Sequence, residues 1–183
     1  MARVCPWWLN GLFDNPLRWL FQKPKAILSP YVRAGMTVAD IGCGMGYFTP
    51  TLAELVGAQG RVQAVDLQRE QLARVRRRVG AAGLSERLQT IQATSDALGL
   101  EGALDFVLAF WMVHEVPDQE RFFCEIAQHL APGGHLLVAE PWFHVRRPAF
   151  ARCLETAARA SLVRHDAQPP IRLSYVALLT RLD

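Results

Sequence analysis

The sequence predicts an α/β fold in which helices cover both faces of a mostly parallel sheet. Short apolar or β-branched runs alternate with longer segments of helical periodicity, which is the pattern of repeated strand–helix–strand units. The first run ends in a glycine-rich turn, and a later run is apolar enough to be buried on both faces. With 183 residues, 51% of them hydrophobic and 20% charged, the chain is expected to form a single domain over residues 1–183.

The elements follow from these runs and from the residues that interrupt them. Strands are predicted at 36–41, 61–66, 88–93, 104–110 and 135–140, with two further candidates at 162–165 and 174–182. Helices are predicted at about 48–56, 68–82, 119–130 and 148–161. Gly57, Gly83 and the turn at 132–134 are expected to end three of these helices.

Composition narrows the classes of function. The net charge of +3 is too modest to argue for a nucleic-acid partner, and an arginine cluster at 74–78 is interpreted as a solvated helix face. The cysteines are widely spaced, which favours free thiols in a reducing cytosol. Polar residues interrupt the apolar N-terminus, so it does not resemble a signal peptide, and no run approaches the ~18 apolar residues of a membrane span. We therefore expect a cytoplasmic monomer or homodimer without nucleic-acid or membrane partners.

The most informative turn follows the first strand, because ligands of parallel sheets bind beyond the carboxyl ends of the strands. It reads Asp40-Ile41-Gly42-Cys43-Gly44-Met45-Gly46. The glycines allow a sharp turn and a close approach of backbone to ligand, and the following helix offers free amides. Dinucleotide enzymes carry G-x-G-x-x-G here. Tyr47 stands where their third glycine would be, which counts against a pyrophosphate ligand.

Asp66 is the second candidate ligand residue. It ends the second strand, 20 residues beyond Gly46. A carboxylate at this place can accept hydrogen bonds from both hydroxyls of a ribose. The alternative is a cap for the helix that follows. The glycine turn upstream favours ribose binding.

Five segments together resemble the class I S-adenosylmethionine-dependent methyltransferases, in particular the UbiE-like branch with a generic methyltransferase domain. They are V-A-D-I-G-C-G-M-G-Y-F-T (38–49), A-V-D-L (64–67), A-T-S-D-A (93–97), L-D-F-V-L-A-F (104–110) and L-A-P-G-G-H-L-L-V-A-E-P (130–141). The resemblance implies a Rossmann-like, mostly parallel seven-stranded sheet with a C-terminal antiparallel hairpin. It also implies the cofactor S-adenosylmethionine and its product S-adenosylhomocysteine. The match is weakest at the hairpin, where residues 165–171 are polar and contain two prolines.

The resemblance implies cofactor contacts for residues near the first strand and the fourth. Asp40 would hold the glycine loop or reach the cofactor's amino group through water. Phe110 and Trp111 would close the floor beneath the sulfonium. The loop residues expected to line the methionine part are Gly42, Gly44 and Gly46.

The nucleoside part of the cofactor would lie against the second and third strands. Asp66 would bind the ribose, and Leu67 would pack on the adenine ring. Asp96 would accept a hydrogen bond from the adenine amino group, while the Ala97 amide would donate to a ring nitrogen.

Candidate catalytic residues follow the fourth and fifth strands. Methyl transfer needs alignment and exclusion of water, and it needs a base only when the nucleophile must lose a proton. His114 and Glu115, with Glu140 and His144, are expected to converge on the acceptor side. Histidine suits a general base, although each of the four also has a structural interpretation, such as capping a turn or pairing with an arginine. A metal held by the histidines with a carboxylate or Cys5 lacks a spacing motif, so no metal is predicted.

The N-terminal 34 residues are expected to form a helical lid, as such segments often do in this family. Their aromatic side chains suit either a flat, apolar acceptor or contact with the sulfonium, and equally helix packing or a dimer contact. They are Trp7, Trp8, Phe13, Trp19 and Phe21.

The acceptor class is inferred by exclusion. Neither an N/D-P-P-Y/F motif nor a Pro-Cys pair follows the fourth strand, which disfavours methylation of base amino groups and of cytosine C5. A small-molecule acceptor is the expectation that remains. A nucleotide-dependent oxidoreductase, a catalytically silent cofactor-binding protein, and an RNA or protein methyltransferase that docks through the arginines remain as alternatives.

Overall fold

The computed structural model describes residues 22–166 and 168–182. Within these residues seven strands form one sheet in the order β3-β2-β1-β4-β5-β7-β6. The strands are β1 Thr37–Ile41, β2 Arg61–Asp66, β3 Leu88–Gln92, β4 Leu104–Phe110, β5 Leu130–Pro141, β6 Leu162–Arg164 and β7 Ser174–Arg181. The first five run parallel, and β7 pairs antiparallel with both β5 and β6. The predicted fold class is confirmed, including the closing hairpin.

Helices cover both faces of this sheet. They are α1 Pro24–Leu28, α2 Thr49–Val56, α3 Arg69–Ala81, α4 Gln119–His129 and α5 Arg147–Arg159. Along β4, Phe106 and Leu108 pack in one core with α1, α2 and α3, whereas Val107 and Ala109 pack in the other with α4 and α5. Because β4 is buried on both faces, it carries the continuous apolar run that marked it in the sequence.

β5 begins earlier than predicted. The sequence suggested a strand at 135–140 after a helix-stopping turn, but the strand starts at Leu130, directly after α4. Leu130 is opposite Leu104 and His135 is opposite Phe106, so the turn forms an irregularity inside the strand. A Cβ on Gly134 would lie 2.9 Å from the carbonyl oxygen of Leu104. Glycine is therefore needed for close backbone contact within the sheet, whereas the preceding helix has already ended at His129.

The strand order locates the ligand crevice. From β1 the chain builds outward to β2 and β3 on one side, and then returns to place β4 and β5 on the other. The connections therefore diverge between β1 and β4, and their carboxyl ends leave a crevice at this switch point.

Candidate functional site

A cavity of about 740 Å³ lies at the carboxyl ends of the strands, within the range typical of small-molecule sites. The predicted cofactor residues that line it are Asp40, Gly42, Gly44, Asp66, Leu67, Asp96, Ala97, Phe110 and Trp111. His114, Glu115 and His144 also line it, whereas Gly46 and the buried Glu140 do not. We call the part around residues 42–46 and Asp66 the glycine-loop end, and the part around His114, Glu115 and His144 the His114 end.

The three glycines of the loop lie in different environments. Gly42 has φ +65°, and a Cβ there would lie 2.7 Å from Cγ of Met112. Gly44 has φ +53°, and a Cβ there would meet nothing within 4 Å, so it leaves open space at the cavity wall. Gly46 packs against Val75 of α3 instead of lining the cavity. Of the three, Gly44 thus offers a ligand the most room.

Asp40 and Asp66 brace the loop from two strands. Asp40 is buried and accepts a hydrogen bond of 2.6 Å from Thr49 Oγ1, which ties β1 to the start of α2. The Asp66 carboxylate accepts from the amides of Gly44 and Gln68, each at 2.9 Å. Burial raises the pKa of Asp66, and its backbone hydrogen bonds partly oppose that rise. A carboxylate oxygen has two lone pairs, so Asp66 retains acceptor capacity for a ligand.

The capping alternative for Asp66 does not describe the geometry. The N-cap of α3 is Gln68, whose side chain makes no capping hydrogen bond. Asp66 bonds the Gln68 amide just outside the helix and the Gly44 amide of the neighbouring loop. Its carboxylate therefore connects two loops that line the cavity.

The predicted adenine side is formed by Leu67, which follows β2, and by the loop after β3. Leu67 is 41% exposed although it is apolar, and it lies at the cavity wall. Asp96 is exposed, 4.0 Å from Arg121. The Ala97 amide donates to Thr94 Oγ1 at 3.1 Å. A hydrogen bond from this amide to a ring nitrogen would therefore have to be shared with Thr94 or replace that contact.

Glu125 of α4 is a site residue that the sequence reasoning missed. Its carboxylate accepts hydrogen bonds from the amides of Leu98 at 2.9 Å and Gly99 at 2.8 Å. These bonds fix the loop that carries Asp96 and Ala97. The partners are backbone groups distant in sequence, so no motif marks Glu125.

The arginines of α3 do more than solvate a helix face. Arg74 Nη1 lies 2.7 Å from Met45 Sδ, and Arg78 Nη1 donates to the Met45 carbonyl at 3.2 Å. Arg76 Nη2 donates to Thr90 Oγ1 at 2.5 Å. Arg76, Arg77 and Arg78 are exposed, as a solvated helix face requires, and three arginines of this face also contact the glycine loop and β3.

Trp111 turns the chain out of β4. Its φ of 60° is unusual for a residue with a Cβ, and such a backbone costs about 1–3 kcal/mol. Its amide donates to the Ala139 carbonyl at 2.7 Å, and its indole donates to Ser174 Oγ at 2.9 Å. Its ring meets Phe110 and the 54% exposed Phe143 at centroid distances of 5.5 Å each. Phe143 and Ser174 were not predicted.

The four catalytic candidates lie close together, but Glu140 is buried and, unlike the other three, does not line the cavity. His114 Nδ1 lies 2.5 Å from Glu140 Oε2, and the His114 amide donates to Glu140 Oε1 at 3.2 Å. Glu115 Oε1 is 4.0 Å from His114 Nε2. The rings of His114 and His144 meet edge to face with centroids 4.9 Å apart.

The charges in this cluster oppose the effect of burial. Burial lowers the pKa of His114, but the hydrogen bond and charge of Glu140 and the charge of Glu115 more than offset it, so the net pKa is raised. Burial, with a contribution from Glu140, raises the pKa of the Cys153 thiol to about 12. That thiol is therefore protonated at neutral pH.

Metal-binding groups, membrane-spanning helices and the N-terminal segment were each the subject of a prediction from the sequence. Among the described residues, no three His, Cys, Asp or Glu side chains are grouped to hold a metal. In that same part of the chain, no helix has the length and apolarity that a membrane crossing requires. Cys5 and the N-terminal aromatics fall outside the described residues. At Gln22, the first described residue, the backbone carbonyl accepts a hydrogen bond of 2.7 Å from Tyr47 Oη.

The fold and the cavity define a Rossmann-like α/β protein with a ligand-sized site at its switch point. The family described as a methyltransferase domain matches residues 38–134. This match covers more than half of the chain, and the chain belongs to this family.

Curated relatives share part of their length with this chain. The ubiquinone/menaquinone biosynthesis C-methyltransferase UbiE of Hahella chejuensis is 33% identical over 110 residues, which is 60% of this chain and 44% of that protein. The methyltransferase GfsG of Streptomyces halstedii is 37% identical over 113 residues, covering 60% of this chain and 39% of that protein. The chain thus spans less than half the length of these relatives.

Solved structures agree on the fold. A SAM-dependent methyltransferase from Aquifex aeolicus superposes with a TM-score of 0.84 at 20% identity, covering 96% of this chain and 98% of that one. The N-methyltransferase NodS from Bradyrhizobium japonicum, solved with S-adenosyl-L-homocysteine, superposes with a TM-score of 0.70 at 18% identity, covering 100% and 94%. At these identities the likeness concerns the fold alone.

Proposed function

We propose that this protein is an S-adenosylmethionine-dependent methyltransferase that acts on a small molecule. The observation that carries the proposal is that one cavity joins the glycine-loop end to the His114 end. A nucleoside site and a group able to accept a proton thereby share one enclosure. Family membership supports the reaction class.

The residues at the glycine-loop end fit the cofactor. Gly44 leaves open space where backbone can approach the methionine part. Asp66 presents a carboxylate that can accept from ribose hydroxyls, and Leu67 offers an exposed apolar surface for the adenine ring. When bound, S-adenosylmethionine supplies a methyl group activated by the positive charge on sulfur.

The other residues of the site hold the cofactor and the acceptor in position relative to each other. Asp40 holds the loop through Thr49, and Glu125 holds the loop of Asp96 and Ala97. Phe110 and Trp111 line the cavity and would close the floor beneath the sulfonium of the bound cofactor and help to exclude water. His114, Glu115 and His144 face the acceptor, while Glu140 supports His114.

Two observations support a small acceptor. The cavity is of ordinary small-molecule size, and Arg121 is the only lysine or arginine among the described residues that line it. The name of UbiE also associates that relative with quinone biosynthesis. A macromolecular acceptor would call for a basic docking surface.

Calorimetric titration with S-adenosylmethionine, S-adenosylhomocysteine and NADH tests the cofactor. We expect micromolar binding of the two sulfur nucleosides and none of NADH. An acceptor screen that detects S-adenosylhomocysteine then tests the reaction. Binding of NADH alone would make the protein an oxidoreductase, and cofactor binding without turnover across a broad panel would indicate a silent binding protein.

A further inference from the structure

We infer that Glu140 positions His114 as the proton acceptor for a weakly acidic hydroxyl group, of the phenol or enol class, on the methyl acceptor. This inference rests on the proposed function and specifies its acceptor chemistry. It assigns different roles to two residues that the sequence placed together as catalytic candidates. His114 contacts the acceptor, and Glu140 acts only through His114.

Two hydrogen bonds fix His114 relative to Glu140. One joins His114 Nδ1 to Oε2 at 2.5 Å, and the other joins the His114 amide to Oε1 at 3.2 Å. Glu140 is only 1% exposed and lies on β5, next to β4, which leads into His114. One buried carboxylate therefore holds both the backbone and the ring of His114.

This contact selects the tautomer of His114. An ionised carboxylate only accepts hydrogen bonds, so Nδ1 of the neutral ring must carry the proton. Nε2 then keeps its lone pair. His114 lines the cavity with a side chain that is 20% exposed. The ring is thus prepared to accept a proton there.

Two carboxylates increase the basicity of His114, and the titratable groups near the His114–Glu140 pair come from several elements. Glu140 lies on β5, Glu115 follows β4, His144 follows β5, and the Cys153 thiol lies on α5. Glu140 and Glu115 favour the imidazolium, and their effect exceeds that of burial, so the pKa of His114 is raised. The thiol of Cys153 is neutral under the same conditions.

A base of this kind matters for a nucleophile that keeps its proton at neutral pH. A neutral amine already presents a lone pair, whereas a phenol with a pKa of about 10 remains protonated. Trp111, Phe143 and His144 surround the His114 end with aromatic rings, which suits a planar acceptor. Arg121, which lies 4.0 Å from Asp96, is the only lysine or arginine among the described residues that line the cavity. This composition disfavours carboxylate and phosphate acceptors.

The chemical step balances with these groups. His114 Nε2 takes the hydroxyl proton of the acceptor. A bond forms from the acceptor's oxygen, or from the carbon conjugated with it, to the methyl carbon as the carbon–sulfur bond breaks. The electron pair of that bond goes to sulfur. A carbon product then rearomatises as its ring proton passes to water and its oxygen regains a proton from the imidazolium. After O-methylation the imidazolium instead releases its proton to water.

The first test measures His114 itself, without an acceptor. Nitrogen-15 NMR across a pH series should show a neutral ring protonated at Nδ1 and a pKa above 6.5, its ordinary value. E140Q should lower that pKa, whereas E155Q, on the exposed side of α5, should leave it unchanged. A neutral ring protonated at Nε2, or an E140Q protein with an unchanged pKa, would overturn the positioning role.

The second test compares 4-methylphenol with the more acidic 4-nitrophenol in a mildly alkaline assay, where 4-nitrophenol is largely ionised and 4-methylphenol is not. H114Q should reduce kcat/KM for 4-methylphenol by about 10²- to 10⁴-fold and affect 4-nitrophenol far less. E140Q should lower kcat and shift the acid limb of the wild-type pH profile to lower pH. Product analysis by mass spectrometry and NMR distinguishes O-methylation from C-methylation.

Cofactor titration of the same variants separates this inference from the proposed function. S-adenosylmethionine should bind H114Q, E140Q and E155Q as it binds the wild type. Equal loss of kcat/KM on both phenols would mean that His114 only positions the acceptor. Turnover of amines but of no phenol or enol would overturn the acceptor class, while intact cofactor binding would leave the proposed methyltransferase in place. If the wild type does not bind S-adenosylmethionine, both this inference and the proposed function are refuted.

Discussion

At the glycine-loop end the shape of the cavity depends on backbone atoms, whereas at the His114 end it depends on side chains from separate strands. The Gly44 amide and the Gln68 amide both bond the Asp66 carboxylate. At the other end, Glu140 holds His114 across two strands. Backbone geometry restricts which residues a position accepts, so the first end leaves a mark in the sequence that the second does not.

The largest effect should come from closing the space at Gly42. In G42A the Cβ would lie 2.7 Å from Cγ and 2.9 Å from Cβ of Met112, at a residue with φ +65°. Left-handed backbone costs roughly 1–2 kcal/mol for a residue with a Cβ, and overpacking adds about 1–3 kcal/mol. We therefore expect a loss of about 2–5 kcal/mol in the free energy of unfolding, measured by urea denaturation.

G44A is the matched control, because its added Cβ meets no protein atom within 4 Å. Only the backbone cost should reduce its stability, while the methyl group would protrude into the ligand space and weaken cofactor binding. If G42A and G44A lose the same stability, the contact with Met112 does not constrain Gly42.

The next largest effect should be a loss of affinity for S-adenosylmethionine when Asp66 is replaced. D66A removes the proposed ribose acceptor and the bond to Gly44. Hydrogen bonds to charged groups contribute about 1.5–3 kcal/mol, which corresponds to roughly a 10- to 100-fold weaker binding of S-adenosylmethionine by calorimetry. D166N, an exposed change outside the cavity, should bind normally. Unchanged affinity in D66A would remove Asp66 from the proposed ribose site.

The difference between the two ends also explains what could be predicted. The parallel strands and helices follow from apolar periodicity, and the cavity residues near the first two strand ends follow from Gly42, Gly44 and Asp66, whereas the closing hairpin was implied by the family resemblance. The early start of β5 was missed, because the Pro132-Gly133-Gly134 turn reads as a helix stop although it lies inside a strand. Turn residues indicate a bend, and pairing with β4 decides whether the strand continues through it.

Side-chain partnerships across the fold could not be predicted in the same way. His114 and Glu140 were expected to be near each other because parallel strands end at one edge, but which would support which was open. Glu125 and Arg78 bond backbone carbonyls or amides of distant loops. Because these partners are backbone groups, which every residue has, no sequence motif marks them, and only the folded structure reveals the contacts.

The His114–Glu140 contact should also make stability depend on pH. The folded pKa of His114 lies above its ordinary value of 6.5, so the folded state holds its proton more tightly than the unfolded chain. The resulting stabilisation is fully present below the ordinary value and is lost as the pH rises through the folded pKa. Urea denaturation should therefore show a larger stability gap between wild type and E140Q below pH 6.5 than at alkaline pH. A gap independent of pH would mean that the protonation of His114 does not contribute.

The smallest effect should come from Ser174, which connects β7 to the His114 end. S174A removes the acceptor of the Trp111 indole hydrogen bond at 2.9 Å, and loss of one neutral hydrogen bond costs about 0.5–1.5 kcal/mol. The Trp111 backbone keeps its bond to Ala139, so the fold should persist while the ring gains freedom. We expect a small drop in the free energy of unfolding and a broader tryptophan side-chain NMR signal, with S161A as an exposed control. If S174A alters cofactor affinity more than turnover, Trp111 belongs with the glycine-loop end; if turnover falls at unchanged cofactor affinity, it orients the acceptor.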